Sequence, residues 1–116
     1  MAKYTLRELY DLDNRSKIKA DIENILKKEE TFASGQLEEL FGISGRAAQF
    51  VIKAVVVIVA RSASPNDVEK LLQHLESYSW SQFGYYIVSN GISKSKAADL
   101  IYDQAFTMAG VLLGKC

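Results

Sequence analysis

Residues 54–60 read AVVVIVA, an apolar run with five β-branched side chains in succession between Lys53 and Arg61. Taken alone, this composition favours a β-strand. Its surroundings decide otherwise. The run lies inside GISGRAAQFVIKA (42–54) and its continuation, and a second stretch, GISKSKAADLIYDQA (91–105), repeats the opening Gly-Ile-Ser and the Ala pair. That second stretch continues with Ile101, Ala105, Met108 and Leu112 at helical spacing. Both copies therefore read as helices, over about 44–61 and 93–113, opened by Ser44 and Ser93 as N-caps. The first is apolar on nearly every side, as expected of a core helix. Small alanines at matching places, Ala47-Ala48 and Ala97-Ala98, let two such helices approach closely. The expected contact runs through Ala47, Ala48, Val51, Val55 and Ile58 on one helix and Ala97, Ala98, Ile101, Ala105 and Met108 on the other.

Working outward, Thr5 and Glu8 stand in capping-box spacing and open a short helix to about Asp11, with Leu6, Leu9 and Tyr10 as its apolar edge. From Ser16, Ile18, Ile22, Ile25 and Leu26 share one helical face, with Lys17, Lys19, Glu23, Lys27 and Lys28 outside it. Ser34–Phe41 reads as a short helix turning Leu37, Leu40 and Phe41 inward, and Gly42 suits a left-handed stop. Further on, Ser64-Pro65-Asn66-Asp67 has the cap, the proline and the early acid of a helix start. Val68, Leu71, Leu72 and Leu75 then line one face, and Trp80–Val88 reads as another short helix closed by Asn90-Gly91. No segment alternates as a strand would. The fold class is all-α.

The two halves agree beyond the opening motif. Residues 21–41 align with 67–87 without a gap: Asp21, Glu23, Leu26, Glu30 and Gln36 recur as Asp67, Glu69, Leu72, Glu76 and Gln82. This order of caps, faces and lengths reads as a duplicated long–short–long helical unit. The expected architecture is a two-repeat α-α superhelix of about six to seven helices in one domain. An N-terminal arm spans 1–15, repeat one 16–63 and repeat two 64–116. Stacked units of this kind bury one continuous core and leave a concave face for a partner.

Composition narrows the function. The 116 residues carry 14 basic and 14 acidic side chains, so there is no general attraction to phosphate or to anionic membranes. No apolar run approaches the roughly 20 residues of a membrane span, and the polar N-terminus lacks an h-region. The single cysteine, Cys116, and the single histidine, His74, have no partners at catalytic or metal-ligand spacing. Asp11, Asp13 and Asn14 lack the Gly and terminal Glu of a calcium loop. No phosphate loop is present. The chain is expected to be non-catalytic, without cofactor, metal or small-molecule substrate, in a reducing cytoplasmic setting.

Gly-Ile-Ser before an Ala-rich helix also opens the second helix of many helix-turn-helix DNA readers. Under that alternative Arg46, Lys94 and Lys96 would meet DNA. Against it, the first copy shows only Arg46, Gln49 and Lys53 before turning apolar, and the second adds Asp99 and Asp103, which repel phosphate. A protein partner is favoured, and its expected docking surface is the aromatic cluster Tyr78, Trp80, Phe83, Tyr85 and Tyr86. Filling the gap between the repeats is the other reading for most of these side chains, but five aromatics on so short a helix exceed its core-facing stripe, so Trp80 or Tyr85 is expected at the surface as an interface anchor.

The run from Arg46 to Leu75 resembles the central part of subunit five of the actin-related protein 2/3 complex. Arg46-Ala47, Ile52-Lys53-Ala54, Asn66-Asp67-Val68-Glu69 and Leu75 carry the likeness. Tyr85–Gly91 is similar to the family's Lys-Tyr-aliphatic-Tyr-Lys-Gly, and Leu100-Ile101-Tyr102 to its Leu-x-Trp helix, with Tyr for Trp. Gly110 falls near the family's Gly-rich last turn. The resemblance implies a small α-α superhelix acting as a structural subunit of an actin-nucleating complex, at the cytoskeleton. The family's long acidic N-terminal tail has no counterpart in the roughly fifteen residues before the first repeat.

Overall fold

The computed structural model describes residues 2–29, 32–63 and 93–115. These residues form helix α1 (Leu6–Leu9), a 3-10 turn at Leu12–Asn14, and helices α2 (Arg15–Glu29), α3 (Ser34–Phe41), α4 (Gly45–Ala63) and α5 (Lys94–Leu112). No strand occurs among the described residues. The chain is all-helical where it is described. The helices expected over 64–92 lie outside the described residues, and so does the whole of the aromatic cluster.

The β-branched run sits inside α4 as a continuous helix. Each β-branched residue costs roughly 0.5 kcal/mol of helix propensity relative to Ala. Val51, Ile52, Val55, Val56 and Val59 are all buried, at 1% exposure or less. Full burial of each such side chain stabilises by about 1.5–3 kcal/mol, so packing overrides propensity. One correction follows for this helix. It is not buried all round: Arg46, Phe50 and Lys53 are exposed along one strip.

Helix α5 is the hub. Its most extensive packing is against α2, and it also touches α4 and α1. Ala97, Ala98, Ile101 and Ala105 are buried as expected, while Met108 is half-buried. On α4, Ala48, Val51 and Val55 are buried, and Ala47 and Ile58 are half-buried. The sequence pairing of α4 with α5 therefore captures a real contact but not the larger one. Ile18, Ile22 and Leu26 give α2 a wholly buried stripe on that side of the core. Arg15 and Lys19 of α2 both reach Asp99 of α5, at 3.3 and 3.1 Å. These are partly exposed pairs worth little energy, but they tie the beginnings of the two helices together.

The caps follow the chemistry of their residues. Thr5 and Glu8 form the reciprocal capping box: Glu8 N–H donates to Thr5 Oγ1 at 3.1 Å and Thr5 N–H to Glu8 Oε1 at 3.0 Å. Gly42 ends α3 at φ 69°, a left-handed position that Gly adopts without penalty. The two Gly-Ile-Ser motifs lead into their helices differently. Ser93 Oγ accepts from Lys96 N–H at 3.1 Å, a side-chain N-cap. At the first copy Gly45 itself is left-handed, at φ 59°, a conformation costly for the lysine in the matching place of the second. Helix α1 is shorter than expected. It ends at Leu9, and Asp11 caps the 3-10 turn by accepting from Asp13 N–H at 3.0 Å. Asp11, one of the residues that resemble part of a calcium loop, thus has a local capping task.

Of residues 2–5, Tyr4 alone enters the core. Lys3 and Tyr4 donate their N–H groups to the carbonyls of Glu39 and Leu40 on α3, at 3.1 and 2.7 Å. The Tyr4 ring is buried beside Phe41, with centroids 6.1 Å apart. Tyr10 stacks on Phe106 at 4.6 Å, which docks α1 on α5.

Next to that stack, Tyr102 is 1% exposed and its hydroxyl is buried without a hydrogen-bond partner among the described residues. Burial pushes the phenol pKa up. An unpaired buried hydroxyl costs about 1–3 kcal/mol of desolvation, so its removal relieves a penalty. Tyr102→Phe is expected to leave thermal stability unchanged or raise it, as read by the Tm of the full chain.

Candidate functional site

The sequence-based docking residues Tyr78, Trp80, Phe83, Tyr85 and Tyr86 lie outside the described residues. The cations assigned to the DNA alternative are described: Arg46 and Lys96 are exposed in the first turns of α4 and α5, and Lys94 is half-buried. Asp99 and Asp103 follow on α5, and Asp99 is already paired with Arg15 and Lys19.

Three constellations among the described residues bear on function. The first is the pin that holds the N-terminal segment. The Tyr4 hydroxyl donates a hydrogen bond to Asp21 Oδ2, and Lys3 Nζ stands 3.0 Å from the same oxygen. Lys17 lies over the Tyr4 ring, 5.7 Å from its centroid. Burial, then the bond to Asp21, pushes the Tyr4 pKa up to about 12. For Asp21, burial pulls upward, but the bonds from Tyr4 and Lys3 prevail and hold its carboxyl below the ordinary value. A carboxylate so held favours the fold above its unfolded pKa and loses that contribution as pH falls through the folded one. Acid titration of stability should therefore show a loss below about pH 4. Asp21→Asn should flatten that part of the profile while lowering stability at neutral pH, as measured by denaturant unfolding across pH. The arrangement is a structural clasp: its phenol and carboxylate are committed to each other.

The second is the aromatic seam of Tyr10, Tyr102 and Phe106, with the Arg15 guanidinium 5.8 Å from the Tyr102 ring. It joins α1, α2 and α5, with Tyr102 buried and Tyr10 and Phe106 half-buried around it.

The third is on the surface. Phe50 is 65% exposed near the middle of α4. Arg46, Gln49, Phe50 and Lys53 line one shallow depression, and Phe50, Lys53, Ala54, Val57 and Ile58 line the next. The spacing i, i+4, i+7 puts Arg46, Phe50 and Lys53 on a single face. Neither cation forms an ion pair among the described residues. Sequence reasoning did not single out Phe50, because the continuous apolar run hides which residues face outward. The one available signal was the placement of Arg46 and Lys53, whose charges mark the solvent side.

Among the described residues no three His, Cys, Asp or Glu side chains gather to hold a metal ion. No single described helix is long and apolar enough to cross a membrane. Comparison with known proteins returned no matching family model, no matching curated protein and no matching solved structure.

Proposed function

We propose that this chain is a non-catalytic helical scaffold that works by binding other proteins. The observation that carries the reading is the open strip of α4, where a large aromatic stands in water between two cations that form no ion pair among the described residues. Isolated exposed apolar residues are ordinary on protein surfaces. A strongly exposed aromatic flanked by charge is the composition of an interface anchor. The described polar clusters support the same reading, since the Tyr4–Asp21 clasp and the tyrosine seam act in holding the helices together.

The finer version is a two-repeat α-α superhelix with the aromatic cluster Tyr78–Tyr86 as part of its binding surface, in the cytoplasm. Its most specific form is a structural subunit of an actin-nucleating complex, which rests on the resemblance of residues 46–75 and the shorter stretches after them. Purification of a tagged full chain from its native cell, with and without nuclease treatment, tests the proposal by identifying what remains bound, protein by mass spectrometry and nucleic acid by sequencing. Stoichiometric protein partners are the expected result, and actin-related subunits among them would support the specific form. Retention of one duplex DNA sequence at physiological salt, with no protein, would overturn the proposal in favour of the Arg46, Lys94 and Lys96 alternative.

A further inference from the structure

The 19 residues of α4, GRAAQFVIKAVVVIVARSA, contain three cations and no acid, in a chain whose net charge is zero. Among the described helical residues, ion-pair partners are held by Arg15 and Lys19, which reach Asp99, and by Lys27, which reaches Glu23 at 3.6 Å. On α4, Arg46 and Lys53 have none among the described residues. Between them Phe50 is 65% exposed, and beyond it the small Ala54 precedes half-buried Val57. From Arg46 to Val57 this face runs about 16 Å, or three helical turns. Its pattern is cation, aromatic, cation, then a notch at an alanine.

We propose that this face of α4 docks an acidic amphipathic helix of a partner protein. The inference rests on the scaffold reading and names the partner's chemistry. An apolar ridge on the incoming helix would cover Phe50 and fill the notch at Ala54, and flanking Glu or Asp would meet Arg46 and Lys53. Packing supplies the affinity and charge sets the orientation. Two cations on one face, in a neutral chain, neutralise too few phosphates for a nucleic-acid site and too little surface potential for a membrane site. A protein helix needs only that pair.

The test uses the full chain and a fluorescein-labelled peptide of about 18 residues, with leucines on one helical face bordered by glutamates. Two control peptides carry the same composition in scrambled order and glutamine in place of glutamate. Fluorescence anisotropy at low and physiological salt should show binding of the amphipathic acidic peptide and weaker binding of both controls. Phe50→Ala should weaken it by roughly tenfold or more. Lys53→Glu should weaken it as well and shift preference to a lysine-bordered version of the peptide, which a merely unfolded variant would not do. Both positions are exposed, and unchanged circular dichroism would confirm that the variants fold. Equal binding of the scrambled peptide, no binding of any peptide, an unaffected Phe50→Ala, or tighter binding of duplex DNA would overturn the proposal. So would a wild-type dimer that becomes monomeric in Phe50→Ala, since the face would then belong to a second copy. If Phe50→Ala still retains the partners that co-purify with the native chain, the scaffold reading stands and this face is excluded. If neither chain retains any protein, the scaffold reading itself fails.

Discussion

Ile101→Ala is expected to destabilise the protein by about 2–5 kcal/mol. Ile101 is 0% exposed on α5, the helix that packs against α1, α2 and α4 at once. Removing three carbons there forfeits their transfer energy and leaves a cavity that several helices would have to move together to close. Such coordinated relaxation is the least available kind, which places the cost toward the upper half of the range. Against a total stability of roughly 5–15 kcal/mol, this loss is a large fraction. Thermal unfolding should show a Tm lower by roughly 10–20 °C. Phe50→Ala, at an exposed position of α4, supplies the contrast, with an expected change within about 0.5 kcal/mol. A loss below about 1 kcal/mol for Ile101→Ala would mean that α5 is not the hub of the core.

The opposite manipulation should also be felt. Ala105→Leu places three extra carbons at a fully buried position of α5. Protein interiors are packed near crystal density, and added methylenes force off-rotamer side chains or helix displacement. The expected cost is about 1–3 kcal/mol, read by denaturant midpoint with an unchanged m-value. Ala20→Leu on the exposed side of α2 is the control, since Ala and Leu differ little in helix propensity. If the two substitutions behave alike, the alanines of α5 do not mark a close helix approach.

Much of the described fold is legible in the sequence, where local chemistry decides. The Thr5–Glu8 capping box, the left-handed stop at Gly42 and the Ser93 cap are each written in one or two residues with one good solution. The helical state of residues 54–60 needed a longer view, because β-branched propensity points to a strand and only the matching helical spacing around Ile101 argues against it. What sequence could not supply is pairing. The apolar stripe of α2, Ile18, Ile22 and Leu26, is plain in the periodicity. That α5 packs on it more than on α4 depends on how the helices stack, which periodicity does not encode. The 3-10 turn after α1 escaped because it is held by a few local bonds, the Asp11 side-chain cap and the Asn14 N–H to the Asp11 carbonyl among them, that leave no apolar periodicity in the sequence.

The candidate site divides along the same line. Tyr4 read as part of an N-terminal arm, yet its burial comes from backbone bonds to Glu39 and Leu40 and its clasp with Asp21, partners distant in sequence. Phe50 read as one more apolar residue of a core helix. Only the packing of α4 shows which side its ring takes. The aromatics Tyr78, Trp80, Phe83, Tyr85 and Tyr86 retain the sequence-based argument alone.

The central claim is that this chain acts by holding other proteins on its helical body. The most direct measurement is the mass, by light scattering, of the material that purifies with the full chain from its native cell, at physiological salt and with or without nuclease. The account predicts a species heavier than the 12.9 kDa chain, of fixed protein stoichiometry and indifferent to nuclease. A free monomer, or a complex that collapses to the monomer on nuclease treatment, would contradict it.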